Sequence, residues 1–207
     1  MKKFVAALAV VPLVFSLAAC GSSSNGNGDS KKITIGVVGN ETANQVLKDE
    51  AAKQGITIEY SEFTDYAQPN PAVDAGDNDM NRFQHIAYLA NYNVSSGKDL
   101  QIVGSTNIYP MAIFSKKHKK VDEIPQGGTI AIPNDSVNEA RALLLLKAQN
   151  LVTFKSEVHT PTHNDIDTGK SKVKVTPVDA AQTVVSLDSV DAAVINNTFL
   201  ADAGLNP

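Results

Sequence analysis

An α/β fold is predicted by three observations. Residues 33–38, Ile-Thr-Ile-Gly-Val-Val, form a β-branched run that turns at Gly39 into a helix-forming stretch and returns at 56–60 as a second such run. That order, with Gly55 as a stop, describes a right-handed parallel crossover. Residues 129–132 repeat the theme before Pro133-Asn134-Asp135-Ser136 and a leucine-rich helix. A compact strand at 191–196 ends in Asn196, Asn197 and Thr198, and polar residues at the end of a buried strand are where α/β proteins place ligand contacts.

Taken in order, the helix over 42–54 carries Ala43, Val46, Leu47, Glu50 and Ala51 along one stripe. Gly39 has no glycine cluster and no following Lys-Ser/Thr, so a phosphate loop is set aside. Residues 63–71 form a loop bearing Tyr66 and punctuated by Pro69 and Pro71, with a short helical turn at 72–75. Gly76, Asp77, Asn78, Asp79 and Asn81 favour turns and helix caps, so a helix is expected from Asn81 or Arg82. His85, Tyr88 and Leu89 then share a face, with Phe83 near the helix start. From this stretch alone, ordinary core and a wall of a site are both open readings.

Residues 100–114 read as a long strand interrupted by Pro110, a place where a chain can pass between lobes. After the strand at 129–132, Asp135 or Ser136 caps a helix over 138–150 whose block Leu143 to Leu146 requires burial on most sides. Arg141 lies in its first turns, where the helix dipole prefers anions. It suits either a surface salt bridge or the bidentate grip of a ligand carboxylate, and the helix alone does not choose. His159 to Asp165 holds two histidines and an acid, but Pro161 breaks the span, so a polar loop is expected rather than a metal site. Residues 172–176 alternate as a half-exposed strand, and 180–187 read as a helix.

At the N-terminus, Lys2 and Lys3 precede an apolar run from Phe4 to Ala19 that is too short to span a membrane. It ends in Leu17-Ala18-Ala19-Cys20, a lipobox containing the one cysteine of the chain. Residues 1–19 are thus expected as a lipoprotein signal peptide. Residues 20–31 are expected as a lipidated Cys20 and a flexible Ser/Gly/Asn tether, which anchors the protein on the extracytoplasmic face of the cell membrane. A net charge of −4 without a sustained basic stripe argues against nucleic acid. The run Lys116-Lys117-His118-Lys119-Lys120 reads as a solvated loop.

Several motifs in order resemble the NlpA-type methionine-binding lipoproteins, the substrate-binding components of methionine ABC importers. They are the lipobox at Cys20, Phe63-Thr-Asp-Tyr66 with Pro69-Asn70, Gly76-Asp77 with Phe83-Gln84-His85 and Tyr88-Leu89, Tyr109-Pro110, Pro133-Asn134-Asp135 with Asn138 and Arg141, and Val194-Ile195-Asn196. The resemblance implies a two-lobe type II periplasmic-binding-protein-like fold closing around an amino acid. Lobe 1 falls at 32–107 and lobe 2 at 108–207. It further implies that Tyr66, Phe83, His85 and Tyr88 receive the thioether side chain, that Arg141 pairs with the carboxylate, and that Asn138 and Asn196 surround the amino-acid backbone. Methionine or a close analogue and an importer permease are the implied partners, with no cofactor, metal or catalysis.

This chain departs from the family at Ile86-Ala87, where Lys-Pro is common. The family also continues past the position of Pro207 with a strand returning to lobe 1. The C-terminal return segment is therefore expected to be missing, leaving lobe 1 incomplete with exposed apolar surface and an unpaired edge. That expectation sustains an alternative, a truncated surface lipoprotein that keeps the fold but has an interaction role or binds no ligand. An enzyme fits worst, because His85 has no partner in a catalytic motif and no paired carboxylates stand at catalytic spacing.

Overall fold

The computed structural model describes residues 31–39 and 42–205. The expected signal peptide, Cys20 and the tether as far as Ser30 lie outside the described residues. Lys31, assigned above to the tether, is instead the first residue of strand β1 (Lys31–Val38). Helix α1 (Thr42–Ala52) and strand β2 (Ile56–Phe63) follow, and β2 lies parallel to β1 along its whole length, from Lys31 opposite Ile56 to Val38 opposite Phe63. The predicted crossover is present. Gly55 supplies the positive φ of 73° that the chain needs to leave α1.

Helix α2 (Pro69–Asp74) starts three residues earlier than its predicted turn at 72–75, with Pro69 and Pro71 in its first turn, where a missing N–H costs nothing. The chain then forms strand β3 (Met80–Arg82), parallel to β1 on the side away from β2. This corrects the expected helix start at Asn81 or Arg82: helix α3 (Ile86–Ser96) begins later, with His85 as its N-cap. The edge of β1 offers Ile35 to Val37 as ladder partners. Satisfying those backbone groups outweighs the local capping preference of the Asp/Asn cluster.

The long strand expected over 100–114 reduces to β4 (Met111–Phe114). Residues 98–110 form no regular structure, and Ile102, Val103 and Ile108 are 57%, 80% and 98% exposed. β-branched residues favour a strand only where another strand completes the ladder, and none pairs with this segment among the described residues.

The second sheet runs β4, β7 (Ala192–Asn196), β5 (Thr129–Pro133), β6 (Lys174–Val178), with β4 antiparallel to β7 and the other pairs parallel. Strand β6 lies two residues later than predicted and contains Pro177, which an edge strand tolerates. Side chains alternate to two covered faces. Ile130, Ile132, Ala192 and Val194 pack with Ala142, Leu143 and Leu146 of helix α4 (Ser136–Ala148). Ala131, Ala193 and Ile195 pack on the other side with Val38 of the first sheet, with Leu187 beside helix α5 (Gln182–Ser186), and with Phe199 and Leu200 of helix α6 (Thr198–Asp202). Phe63, Tyr66 and Phe83 join that second cluster, which therefore bridges the two sheets.

Candidate functional site

The candidate residues lie where parallel strands of both sheets end. Tyr66 follows β2, Phe83 and His85 follow β3, Asn138 and Arg141 follow β5 on α4, and Asn196 is the last residue of β7. A strand end frees the chain to turn outward with its polar groups, which is why open α/β sheets bind ligands at their carboxyl edges.

The rings form one group. Tyr66 and Phe83 have centroids 5.7 Å apart, Tyr66 and Tyr88 6.0 Å, and Phe83 and Tyr88 5.7 Å, the last two pairs edge to face. The Tyr88 hydroxyl donates to the Tyr66 carbonyl at 3.0 Å, which holds α3 against the loop after β2. Burial, with Asp135, Asp65 and Asp179 nearby, pushes the Tyr88 phenol up to about 12. It is a neutral donor at any physiological pH. Phe199 stacks on Tyr66 at 4.9 Å and was not singled out from the sequence. Its placement after Asn196-Asn197-Thr198, in a helix leaving a buried strand, was the available signal.

His85 does two things at once. Its Nδ1 accepts the Tyr88 backbone N–H at 3.2 Å as the α3 cap, so the neutral ring carries its proton on Nε2. That Nε2 faces Asn138 Oδ1 at 3.4 Å. Burial first, and the Arg141 charge second, hold the His85 pKa below its ordinary value.

Asn138 Oδ1 also accepts from Arg141 Nη1 at 2.7 Å and from Asn196 Nδ2 at 3.1 Å. Arg141 is half-buried and makes no ion pair among the described residues. The surface salt bridge considered above for Arg141 is therefore not the arrangement found. Asn196 is 8% exposed, and its Oδ1 has no hydrogen-bond partner among the described residues. Beside the rings, an open groove of about 240 Å³ is lined by Tyr66, Tyr88, Tyr92, Asn91, Asp135 and Ser136, among others. Arg141, Asn138 and Asn196 are not part of its lining.

Sequence reasoning also passed over an amide network behind the rings. Asn70, 1% exposed, exchanges two hydrogen bonds with Gln84 at 2.9 and 2.6 Å and accepts a third from Asn81 at 2.8 Å. Gln84 lies between Phe83 and His85, so this network fixes the backbone from which both project. The histidine segment at 159–165 serves the fold. His163 donates its backbone N–H to buried Glu139 at 2.7 Å, and its Nδ1 lies 2.7 Å from the same carboxylate oxygen.

The NlpA lipoprotein family matches residues 33–207. The chain belongs to this family. Among NlpA relatives, "Outer membrane lipoprotein 1" of Mannheimia haemolytica is 43% identical over 84% of this chain and 65% of its own length. The "D-methionine-binding lipoprotein MetQ" of Escherichia coli K12 is 38% identical over 99% of this chain and 78% of its own. Among solved structures, a nutrient binding protein from Burkholderia cenocepacia bound to methionine is 39% identical with a TM-score of 0.80, covering 84% of this chain and 76% of that one. The chain thus spans less than two thirds of the length of the Mannheimia relative. The mixed α/β architecture is the one this family shares with substrate-binding proteins of methionine transporters.

Proposed function

We propose that this NlpA-family chain captures methionine, or a close analogue, outside the cytoplasm and delivers it to the permease of an ABC importer without chemistry on the substrate. Residues 32–107 and 108–207 act as two lobes that close on the ligand, and lipid on Cys20 holds the protein at the extracytoplasmic face of the membrane. The observation that carries this reading is Arg141: a half-buried guanidinium with no carboxylate partner among the described residues, bonded to Asn138 and linked through it to the ring group. A guanidinium removed from water without an anion is costly, and a ligand carboxylate supplies the anion.

Asn196 Oδ1 suits the α-ammonium for the same reason, since an orphaned buried acceptor costs about 1–3 kcal/mol. Tyr66, Phe83, His85 and Tyr88 suit a thioether, because sulfur favours aromatic edges. The relatives' names and the methionine-bound neighbour support the same ligand class.

Calorimetry and thermal shift with L- and D-methionine, on the soluble chain starting after Cys20, test the proposal. Saturable heat with one ligand per chain is expected. No heat and no thermal shift at millimolar ligand would refute capture. The second reading, a surface lipoprotein with an interaction role, draws on exposed Ile102, Val103 and Ile108. It gains ground only if that refutation occurs and the chain instead binds cell-surface material.

A further inference from the structure

Asn138 ties the polar centre together, and its amide can do so only one way round. Its Oδ1 meets three donors from three elements: Arg141 Nη1 on α4 at 2.7 Å, Asn196 Nδ2 on β7 at 3.1 Å, and His85 Nε2 at the start of α3 at 3.4 Å. Turned over, the amide would set its NH₂ against a guanidinium, a second NH₂ and a ring N–H. A change of His85 tautomer would relieve that conflict only by turning an Nδ1–H against the Tyr88 backbone N–H, which Nδ1 accepts at 3.2 Å beside the 3.0 Å bond from the same N–H to the His85 carbonyl.

The opposite side of the amide shows what selects the orientation. Asn138 Nδ2 lies 3.1 Å from Asp135 Oδ1 and 3.0 Å from Asp135 Oδ2, while Asp135 Oδ1 also accepts the Asn138 backbone N–H at 2.9 Å. Capping α4 requires only that last bond, which Ser or Asn makes as well as Asp. Only a carboxylate offers acceptors alone, with no donor to turn toward the Asn138 NH₂.

We infer that Asp135 is the positioning residue of this centre: its carboxylate orients the Asn138 amide so that Oδ1 gathers Arg141, Asn196 and His85 from both sheets into one ligand-receiving arrangement. In this role Asp135, which also borders the groove beside the rings, acts through Asn138. By fixing the Asn196 NH₂ toward Asn138, it also leaves Asn196 Oδ1 buried and without a hydrogen-bond partner among the described residues. The ligand-binding part of the inference rests on the capture reading above, whereas the internal geometry does not.

The test is Asp135→Asn in the soluble chain starting after Cys20, read by thermal unfolding, methionine calorimetry and nitrogen-15 NMR of the histidine rings. His85 is assigned by the signal lost in His85→Asn. Asp135→Asn keeps a helix cap, so the Tm should stay close to wild type, with Asp135→Ala as the variant that loses the cap. Methionine affinity should fall at least tenfold, and the hydrogen-bonded His85 Nε2 proton, sharp in wild type, should be lost to exchange. Asp135→Ser, also a cap without a second acceptor, replaces Asp135→Asn if that variant does not fold. An affinity within twofold of wild type, or an unchanged His85 signal, would overturn the inference. If wild type itself binds no methionine, the capture reading fails separately, and the His85 signal alone then decides whether Asp135 orients the centre.

Discussion

Removing the Asn70 amide should destabilise the chain more than its small volume suggests. Asn70→Ala deletes three hydrogen bonds, but their partners are not left equal. Gln84 Nε2 keeps Asn81 Oδ1 at 3.0 Å, and Asn81 Nδ2 keeps the Pro69 carbonyl at 3.2 Å. Gln84 Oε1 loses its Asn70 donor and is left facing the space of the deleted amide. One stranded acceptor costs about 1–3 kcal/mol, and the lost bonds whose donors keep another partner add about 0.5 kcal/mol each. The sum is about 2–4 kcal/mol. With a urea m-value of about 2 kcal/mol/M for a chain of this size, the unfolding midpoint should fall by about 1–2 M. Urea unfolding followed by circular dichroism measures this directly. Asn70→Asp should do no better at neutral pH, because a carboxylate then faces Gln84 Oε1, and should partly recover in acid as it gains a proton. A midpoint within about 0.3 M of wild type for Asn70→Ala would show that the network is dispensable and that something else fixes Phe83 and His85.

Three further outcomes are expected. Arg141→Ala should abolish measurable methionine heat while changing the Tm little, since the side chain bonds only Asn138 among the described residues; retained affinity would remove Arg141 from the site. His85 has a folded pKa below its ordinary 6.5, so below that pH the unfolded chain binds more protons, and stability falls as pH drops until the folded pKa is passed. Urea midpoints at pH 7.5 and 5.5 should therefore differ more for wild type than for His85→Asn, which keeps a cap without a titrating ring. Gly36→Ala would place a Cβ 3.0 Å from both Asn78 Nδ2 and Phe63 Cε2, and should lower stability by about 1–3 kcal/mol in the same urea assay.

Elements whose cause is local were legible in the amino-acid order. The β-branched runs, Gly55 and the leucine block after Asp135 mark β1, α1, β2, β5 and α4: β5, buried over most of its length, and α4, whose leucines need burial, read as apolar runs, and Gly55 ends α1 before β2. Tyr66, Phe83, His85, Tyr88, Asn138, Arg141 and Asn196 were nameable as a set through the resemblance of their motifs to the NlpA-type family, since local chemistry left the His85 stretch and Arg141 open between core or surface and site. Tertiary structure decided where neighbours compete for the same backbone. Met80 to Arg82 became a strand because β1 offered a ladder that no local pattern announces, and that delayed α3 until His85 could cap it. Residues 98–110 stayed irregular because strand propensity yields no strand without a partner. The convergence of His85, Arg141 and Asn196 on one oxygen of Asn138, with Asp135 behind it, was likewise beyond the sequence. Amide orientation depends on which donors meet in space, and those donors come from residues as far apart in the chain as 85 and 196.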